Sequence, residues 1–128
     1  MATVRDHMTT KVVTFTPDTD IHRAIKVLLK RHLSGAPVLD PDGRLVGMLS
    51  KKDCLAVAFR ARYHEQWAGH VDSYMHTDVE TVPPDMDILA AAELFLERTY
   101  RRFPVMDGDR LVGLISRHDV LKALEDQW

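Results

Sequence analysis

The chain is an internal duplication, and a duplication limits the available folds more than any single motif does. Sliding the sequence by 67 positions matches Val4 to Val71, Met8 to Met75, Val12 to Val79, Thr14 to Thr81 and Pro17 to Pro84. The same shift matches Asp20-Ile21 to Asp87-Ile88, Ala24 to Ala91 and Pro37-Val38 to Pro104-Val105. After Asp40 and Asp107 the offset falls to 66, because one turn is a residue shorter. Arg44-Leu45-Val46-Gly47 then aligns with Arg110-Leu111-Val112-Gly113, Ser50 with Ser116, and Asp53 with Asp119. In all, 22 of 49 aligned positions are identical, far beyond coincidence.

Each copy reads as strand, helix, strand, strand, helix. Val12-Val13-Thr14-Phe15 and Val79-Glu80-Thr81-Val82 are β-branched runs halted by a proline. Asp18-Thr19-Asp20 supplies cap-type residues before apolar positions at Ile21, Ala24, Ile25 and Leu28, which is helical spacing. Ile88, Ala91, Ala92 and Phe95 repeat it. Ala36 to Leu39 and Leu45 to Leu49 flank Asp40-Pro41-Asp42-Gly43, a hairpin signal. Second helices start near Ser50 and Ser116. From Cys54 to His70, residues Leu55, Ala58, Phe59, Arg62, Tyr63 and Trp67 keep roughly helical intervals, so that stretch extends the first copy's last helix. We expect an α/β fold of α+β type, with two β-α-β-β-α repeats packed sheet to sheet in pseudo-twofold symmetry. Residues 1–128 make one domain, with repeats at 4–58 and 71–124 and a helical linker at 59–70.

Composition removes several function classes. At 128 residues the chain is long enough for a core that needs no disulfide or metal. A net charge of −2 provides no overall basic surface for displacing phosphate counterions, so nucleic acid is not expected as partner. Cys54 is the lone cysteine, which excludes an intrachain disulfide and a paired-cysteine zinc site. The longest apolar run is about five residues against the ~20 of a membrane span, and the N-terminus lacks a signal-type apolar stretch. A soluble, cytoplasmic chain is expected. Seven histidines, His7, His22, His32, His64, His70, His76 and His118, show no metal-type spacing. Only His118, inside a repeated motif, is in position for a phosphate.

Chemistry concentrates in the most repeated string, Gly-x-x-Ser-x-x-Asp: Gly47 to Asp53 and Gly113 to Asp119. Each serine sits where a strand hands over to a helix. The free N–H groups of a first helical turn attract phosphate, Lys51 or Arg117 adds charge, and Asp53 or Asp119 suits a ribose diol. The same residues also make a helix-capping box that needs no ligand. Both readings stand on spacing alone. A catalytic role finds little support, because Ser50 has no placed base and Cys54 follows a carboxylate.

The order and spacing of these elements, met twice over residues 4 to 124, resemble a tandem pair of CBS domains, the regulatory module named after cystathionine β-synthase. That resemblance implies two symmetry-related clefts for adenine-containing ligands: AMP, ADP or ATP, and in some members NAD or S-adenosylmethionine. It assigns Asp53 and Asp119 to ribose, Ser50 and Ser116 to phosphate, and Thr14 and Thr81 to ribose or phosphate. The backbone at Val12-Val13 and Ala36-Pro37 lines adenine in the first cleft, and Val79-Glu80 with Phe103-Pro104 occupies the matching places in the second. Phe103, opposite Ala36, either stacks on adenine or fills its space. Arg101-Arg102, opposite Ser34-Gly35, add charge for a polyphosphate, as do Lys51, Arg117 and His118. No cofactor is required. The resemblance further implies a stand-alone homodimer, arranged as a flat four-copy disc, that signals nucleotide status to an effector protein encoded elsewhere. A ligand-free assembly module is the alternative, and a polyphosphate or nucleic-acid binder on Arg101, Arg102 and Arg117 ranks below both. Tyr63, Trp67 and Trp128 are expected against the core or a second subunit, and the Arg60-Ala61-Arg62 and Arg98 to Arg102 charges on solvated faces.

Overall fold

Two antiparallel hairpins, each followed by a helix, organise the computed structural model, which describes residues 2–64 and 69–127. Trp67 and Trp128 lie outside the described residues, as does the side chain of His64. In chain order the elements are α1 (Val4–His7), α2 (Ile21–Lys30), β1 (Gly35–Leu39), β2 (Leu45–Ser50) and α3 (Lys51–His64). A 3-10 turn (Val71–Ser73) precedes α4 (Ile88–Glu97), β3 (Arg102–Asp107), β4 (Arg110–Ser116) and α5 (Arg117–Asp126). This is the mixed α/β class that the duplication implies.

The chain divides into two compact units, and these are not the two sequence repeats. One comprises Val13–Val79, the other Met1–Val12 with Glu80–Trp128. Each repeat therefore lends its opening segment to the unit built by the other. In the first unit Val71 docks by its N–H on the Thr19 carbonyl and Asp72 on that of Pro17, while the Ile21 N–H reaches Gly69. In the second, Val4 donates to Met86, Arg5 to Pro84, and Ile88 to Ala2. The docked valines, Val71 and Val4, are wholly buried.

The first unit buries Phe15, Ile21, Ala24, Ile25 and Leu28 against Ala36, Val38, Leu49, Cys54, Val57 and Val71. Its helix α2 starts at Asp20, whose carboxylate accepts the Arg23 N–H at 3.0 Å. The β1–β2 hairpin pairs Gly35 with Ser50, Ala36 with Leu49, Pro37 with Met48 and Val38 with Gly47. Its turn is closed by Asp40, whose Oδ1 accepts the N–H groups of Asp42 and Arg44. Gly43 takes φ +83°, a left-handed position for which glycine has no steric penalty. Beyond Cys54, α3 runs on to His64, as its helical intervals predict.

The second unit repeats the plan with Val82, Ile88, Ala91, Phe95, Phe103, Val105, Ile115, Val120, Ala123 and Val4. Asp87 caps α4 through the Leu89 N–H. Hairpin β3–β4 pairs Arg102 with Ser116, Phe103 with Ile115 and Pro104 with Leu114, and bulges between Val105 and Met106 where β1 bulges between Val38 and Leu39.

One expectation is corrected. The runs Val12–Phe15 and Val79–Val82 do not form full strands: each contributes a single parallel bridge, Phe15 to Val38 and Val82 to Val105. Two prolines cut the ladder. The Phe15 N–H donates to the Pro37 carbonyl and the Leu39 N–H to the Phe15 carbonyl. Extending the ladder toward the N-terminus needs an N–H from Pro37, and extending it forward needs one from Pro17; neither has one. Pro104 and Pro84 bracket Val82 in the same way.

The repeated glycines explain why the exchanged segments fit. A Cβ on Gly47 would stand 2.6 Å from Met75 Sδ and 2.9 Å from the His76 carbonyl oxygen. On Gly113 it would stand 2.7 Å from Met8 Sδ and 2.8 Å from the Thr9 carbonyl oxygen. At these distances His76 and Met48 exchange backbone hydrogen bonds, as do Thr9 and Leu114. We predict that Gly47→Ala destabilises by about 1–3 kcal/mol, the range for overpacking a filled interior. Adding Met75→Ala should recover only part of this, since the main-chain clash at His76 persists. Chemical denaturation of the three proteins measures it, and full recovery in the double variant would place the whole clash on the methionine.

Candidate functional site

Both Gly-x-x-Ser-x-x-Asp strings fold as reciprocal capping boxes. The Ser50 N–H donates to Asp53 Oδ2 at 2.9 Å, and the Asp53 N–H donates to Ser50 Oγ at 3.1 Å. Ser116 and Asp119 repeat both bonds at the same lengths. The N–H of Lys51 is also taken, by the Ser34 carbonyl at 2.8 Å, and that of Arg117 by the Arg101 carbonyl at 3.1 Å. Among the described residues this leaves the Lys52 and His118 N–H groups as the open amides of the first turns. The first turns are thus less open to an anion than the spacing alone suggests. Among the described residues nothing bonds Oδ1 of either carboxylate, and each serine hydroxyl still has a proton to donate.

The elements gather the remaining residues at one end of the sheet in each unit. Ala36 and Pro37 lie on β1 beside β2, which delivers Ser50 to α3. Val13 and Thr14 run into the Phe15 bridge on the other side of β1, with Thr14 exposed and Val13 half-buried. In the second unit Phe103 and Pro104 lie on β3, Glu80 and Thr81 lead into the Val82 bridge, and Ser116, Arg117, His118 and Asp119 open α5. Val12 and Val79 fall at the ends of the compact units, each on the far side of the division from its neighbour Val13 or Glu80. Lys51, Arg117 and His118 are exposed on the first turns.

The two copies diverge where charge is involved. Phe103 is 1% exposed, its ring 4.7 Å from that of Phe95 and 5.8 Å from that of Tyr100. It belongs to the core, so what it offers a ligand is main chain rather than a stacking face. Glu80 is held by Arg98, with Nε to Oε1 at 2.7 Å and an Nη to Oε2 at 3.2 Å, and this pairing holds the Arg98 guanidinium charged. Arg117 donates to the Arg98 carbonyl at 3.1 Å. The Arg98 to Arg102 group is therefore not a uniformly solvated face. Arg101 is exposed, but Arg102 is partly buried opposite Ser116, and its Nε is buried with no acceptor among the described residues. Burial pushes the Arg102 guanidinium toward its neutral form, opposed by the nearby Asp119 carboxylate. In the other unit that strand position is Gly35.

Sequence reasoning missed one participant. His76 Nδ1 lies 3.1 Å from Asp53 Oδ2, across 23 residues of sequence, and no motif signalled it. Its counterpart Thr9 makes no side-chain bond to Asp119 among the described residues. Of the two places expected for Tyr63, the core is not the one it takes: it is exposed and meets Phe59 edge-on.

Comparison with known proteins follows the same division. A family model described as CBS domain matches residues 4–60 and 71–126. The chain is 29% identical over 98% of its length to protein MJ1225 of Methanocaldococcus jannaschii, and 30% identical over 94% to the CBS domain-containing protein YhcV of Bacillus subtilis. It spans 84% of YhcV but only 44% of MJ1225, and 13% of an A-adding tRNA nucleotidyltransferase from Geobacter sulfurreducens that it matches at 33% identity. Among solved structures it superposes on CBSX2 of Arabidopsis thaliana in complex with AMP at a TM-score of 0.88, with 29% identity, covering 99% of this chain and 98% of that one.

Cys54, next to the capping aspartate, gives a direct check on this packing. It is 6% exposed, and burial, helped by the Asp53 carboxylate, pushes its thiol up to about 11. At pH 8 about one thiol in a thousand is then ionised, and the thiolate is the reactive form. We predict that a disulfide reagent at pH 8 modifies the native protein at least about a hundredfold more slowly than the protein in denaturant. Equal rates would show that the start of α3 is open.

Proposed function

This chain belongs to the CBS domain family, and from that premise we propose that it is a regulatory module that senses an adenine nucleotide, AMP foremost, without performing a reaction on it. The observation that carries the reading is Arg102. A cationic side chain with a buried, unpaired Nε, set across the strand pair from Ser116 and near Asp119, is an unfavourable arrangement until an anion arrives. A phosphate beside the guanidinium compensates that charge, and Asp119 is the neighbour that takes the ribose of the same ligand. The AMP complex of CBSX2, similar along nearly its whole length, supports the nucleotide over other anions.

In this reading Asp53 and Asp119 take ribose, Ser50 and Ser116 donate to phosphate, and Thr14 and Thr81 assist. Val13, Ala36 and Pro37 face one adenine, and Glu80 and the main chain of Phe103-Pro104 face the other. Lys51 serves phosphate in the first unit. Arg101, Arg102, Arg117 and His118 make the second the better place for ADP or ATP. Arg117 donates one Nη to the Arg98 carbonyl and keeps its other guanidinium donors for a phosphate.

The signal passes through a homodimer to an effector protein. Exposed apolar side chains recur at equivalent places, Leu29 with Leu96 and Leu55 with Leu121, joined by Phe59 and Leu89. Exposed apolar side chains on the helices of each unit are the surface an assembly would cover. A ligand that binds one arrangement better shifts the population toward it by its differential affinity.

Thermal melts with AMP, ADP, ATP, NADH and S-adenosylmethionine test the reading. A ligand at 100 times its dissociation constant adds about 2.7 kcal/mol of stability. We expect AMP to raise the melting temperature, Asp119→Ala and Asp53→Ala each to abolish one of two binding events, and Arg102→Met to weaken AMP while leaving adenosine unaffected. The ligand-free Arg102→Met protein should melt no lower than wild type, because it loses a partly desolvated cation with an unsatisfied Nε. No shift with any compound would leave the exposed helical faces, and an assembly role, as the function.

A further inference from the structure

We propose that His76 is the residue that sets the ligand affinity of the Asp53 site, by occupying the carboxylate that the ribose needs; this rests on the adenosine-binding reading. The two sites share their capping geometry, so a difference in how they hold a ribose comes from what else touches the aspartates. At Asp53, Oδ2 accepts the Ser50 N–H at 2.9 Å and lies 3.1 Å from His76 Nδ1. Facing a carboxylate, that nitrogen carries its proton, since a bare lone pair would meet the oxygen's own. Two donors fill Oδ2, leaving Oδ1 alone for a ligand. At Asp119, among the described residues, Oδ2 takes only the Ser116 N–H, so both oxygens keep capacity.

A cis-diol donates best with one hydroxyl to each carboxylate oxygen. It can do so at Asp119 directly. At Asp53 it must first displace the imidazole, or crowd both hydroxyls onto Oδ1.

The main chain holds His76 in this position. Its N–H donates to Met48 O at 3.0 Å and its carbonyl accepts from Met48 at 2.9 Å, against the bare face of Gly47. The side chain, 39% exposed, has room to swing outward, while the Asp53 side chain, 24% exposed, is fixed by its cap. His76 thus acts as a movable lock on a fixed carboxylate. Thr9 occupies the equivalent bridge in the other unit, opposite Leu114, and a threonine there leaves Asp119 open.

The test exchanges the two residues. In an Asp119→Ala background, which reports the Asp53 site, calorimetry with adenosine and with AMP compares His76 with His76→Thr. We expect about threefold to tenfold tighter binding of both ligands, the equivalent of one ordinary net hydrogen bond, as suits a partly exposed imidazole. In an Asp53→Ala background, Thr9→His should weaken binding at Asp119 by a similar factor. In the otherwise native chain, the imidazole proton resonances of His76 should move as adenosine is added and saturate with the Asp53-site affinity. That readout needs no folded variant. If ligand binds but His76→Thr leaves affinity unchanged or weaker, or the imidazole signal stays still at saturation, the lock is wrong while the adenosine reading stands. If no adenosine compound binds wild type or any variant, the adenosine reading falls, and the lock with it.

Discussion

At Gly47 the main chain of Met75–His76 passes so close that no side chain fits between, and at Gly113 the main chain of Met8–Thr9 does the same. The rest of the molecule depends on this approach. It brings a strand end from one repeat against the hairpin of the other and buries Val71 and Val4 in cores they did not come from. It also sets what stands beside each capping aspartate. The glycine of the repeated string does not contact a ligand in this account; it makes room for the segment whose next residue determines how open the carboxylate is. Fold and site are coupled through one missing Cβ.

A chain built as two copies could have had two equal sites, and the side chains near the helix starts argue otherwise. One aspartate is engaged by an imidazole, while the other lies near a partly buried guanidinium with an unpaired nitrogen. The caps themselves are identical to a tenth of an ångström. Capping and binding are therefore compatible uses of the same residues: the box holds serine and aspartate still, and one carboxylate oxygen and one hydroxyl proton remain for a ligand. Preorganised polar groups of this kind bind without first having to be ordered.

Much of this was legible in the sequence. The duplication, the hairpin turns at Asp40 to Gly43, the caps at Asp20 and Asp87 and the helices after Ser50 and Ser116 all follow from local patterns, which report local structure well. The ladder's brevity was also written in Pro17, Pro37, Pro84 and Pro104, but only their joint placement around Phe15 and Val82 reveals it. The exchange of opening segments was not legible, because aligning a repeat with itself assigns each segment to its own copy. His76 was hidden for the same reason: it belongs to the second repeat by sequence and to the first unit by contact, and nothing local marks an imidazole that meets a carboxylate 23 residues away. Alignment with Ala36 leaves Phe103 either stacked on adenine or filling its space, and only tertiary context, its packing on Phe95, puts the ring in the core.

The account's central claim is that adenosine ligands land on the two capped helix starts. Backbone amide spectra of the isotope-labelled chain, followed through a titration with AMP, test it most directly. The account predicts the largest changes at Ser50 to Asp53 and at Ser116 to Asp119, with the Asp119 set saturating at the lower concentration. Saturable changes confined to other surfaces, with both sets unmoved, would contradict it.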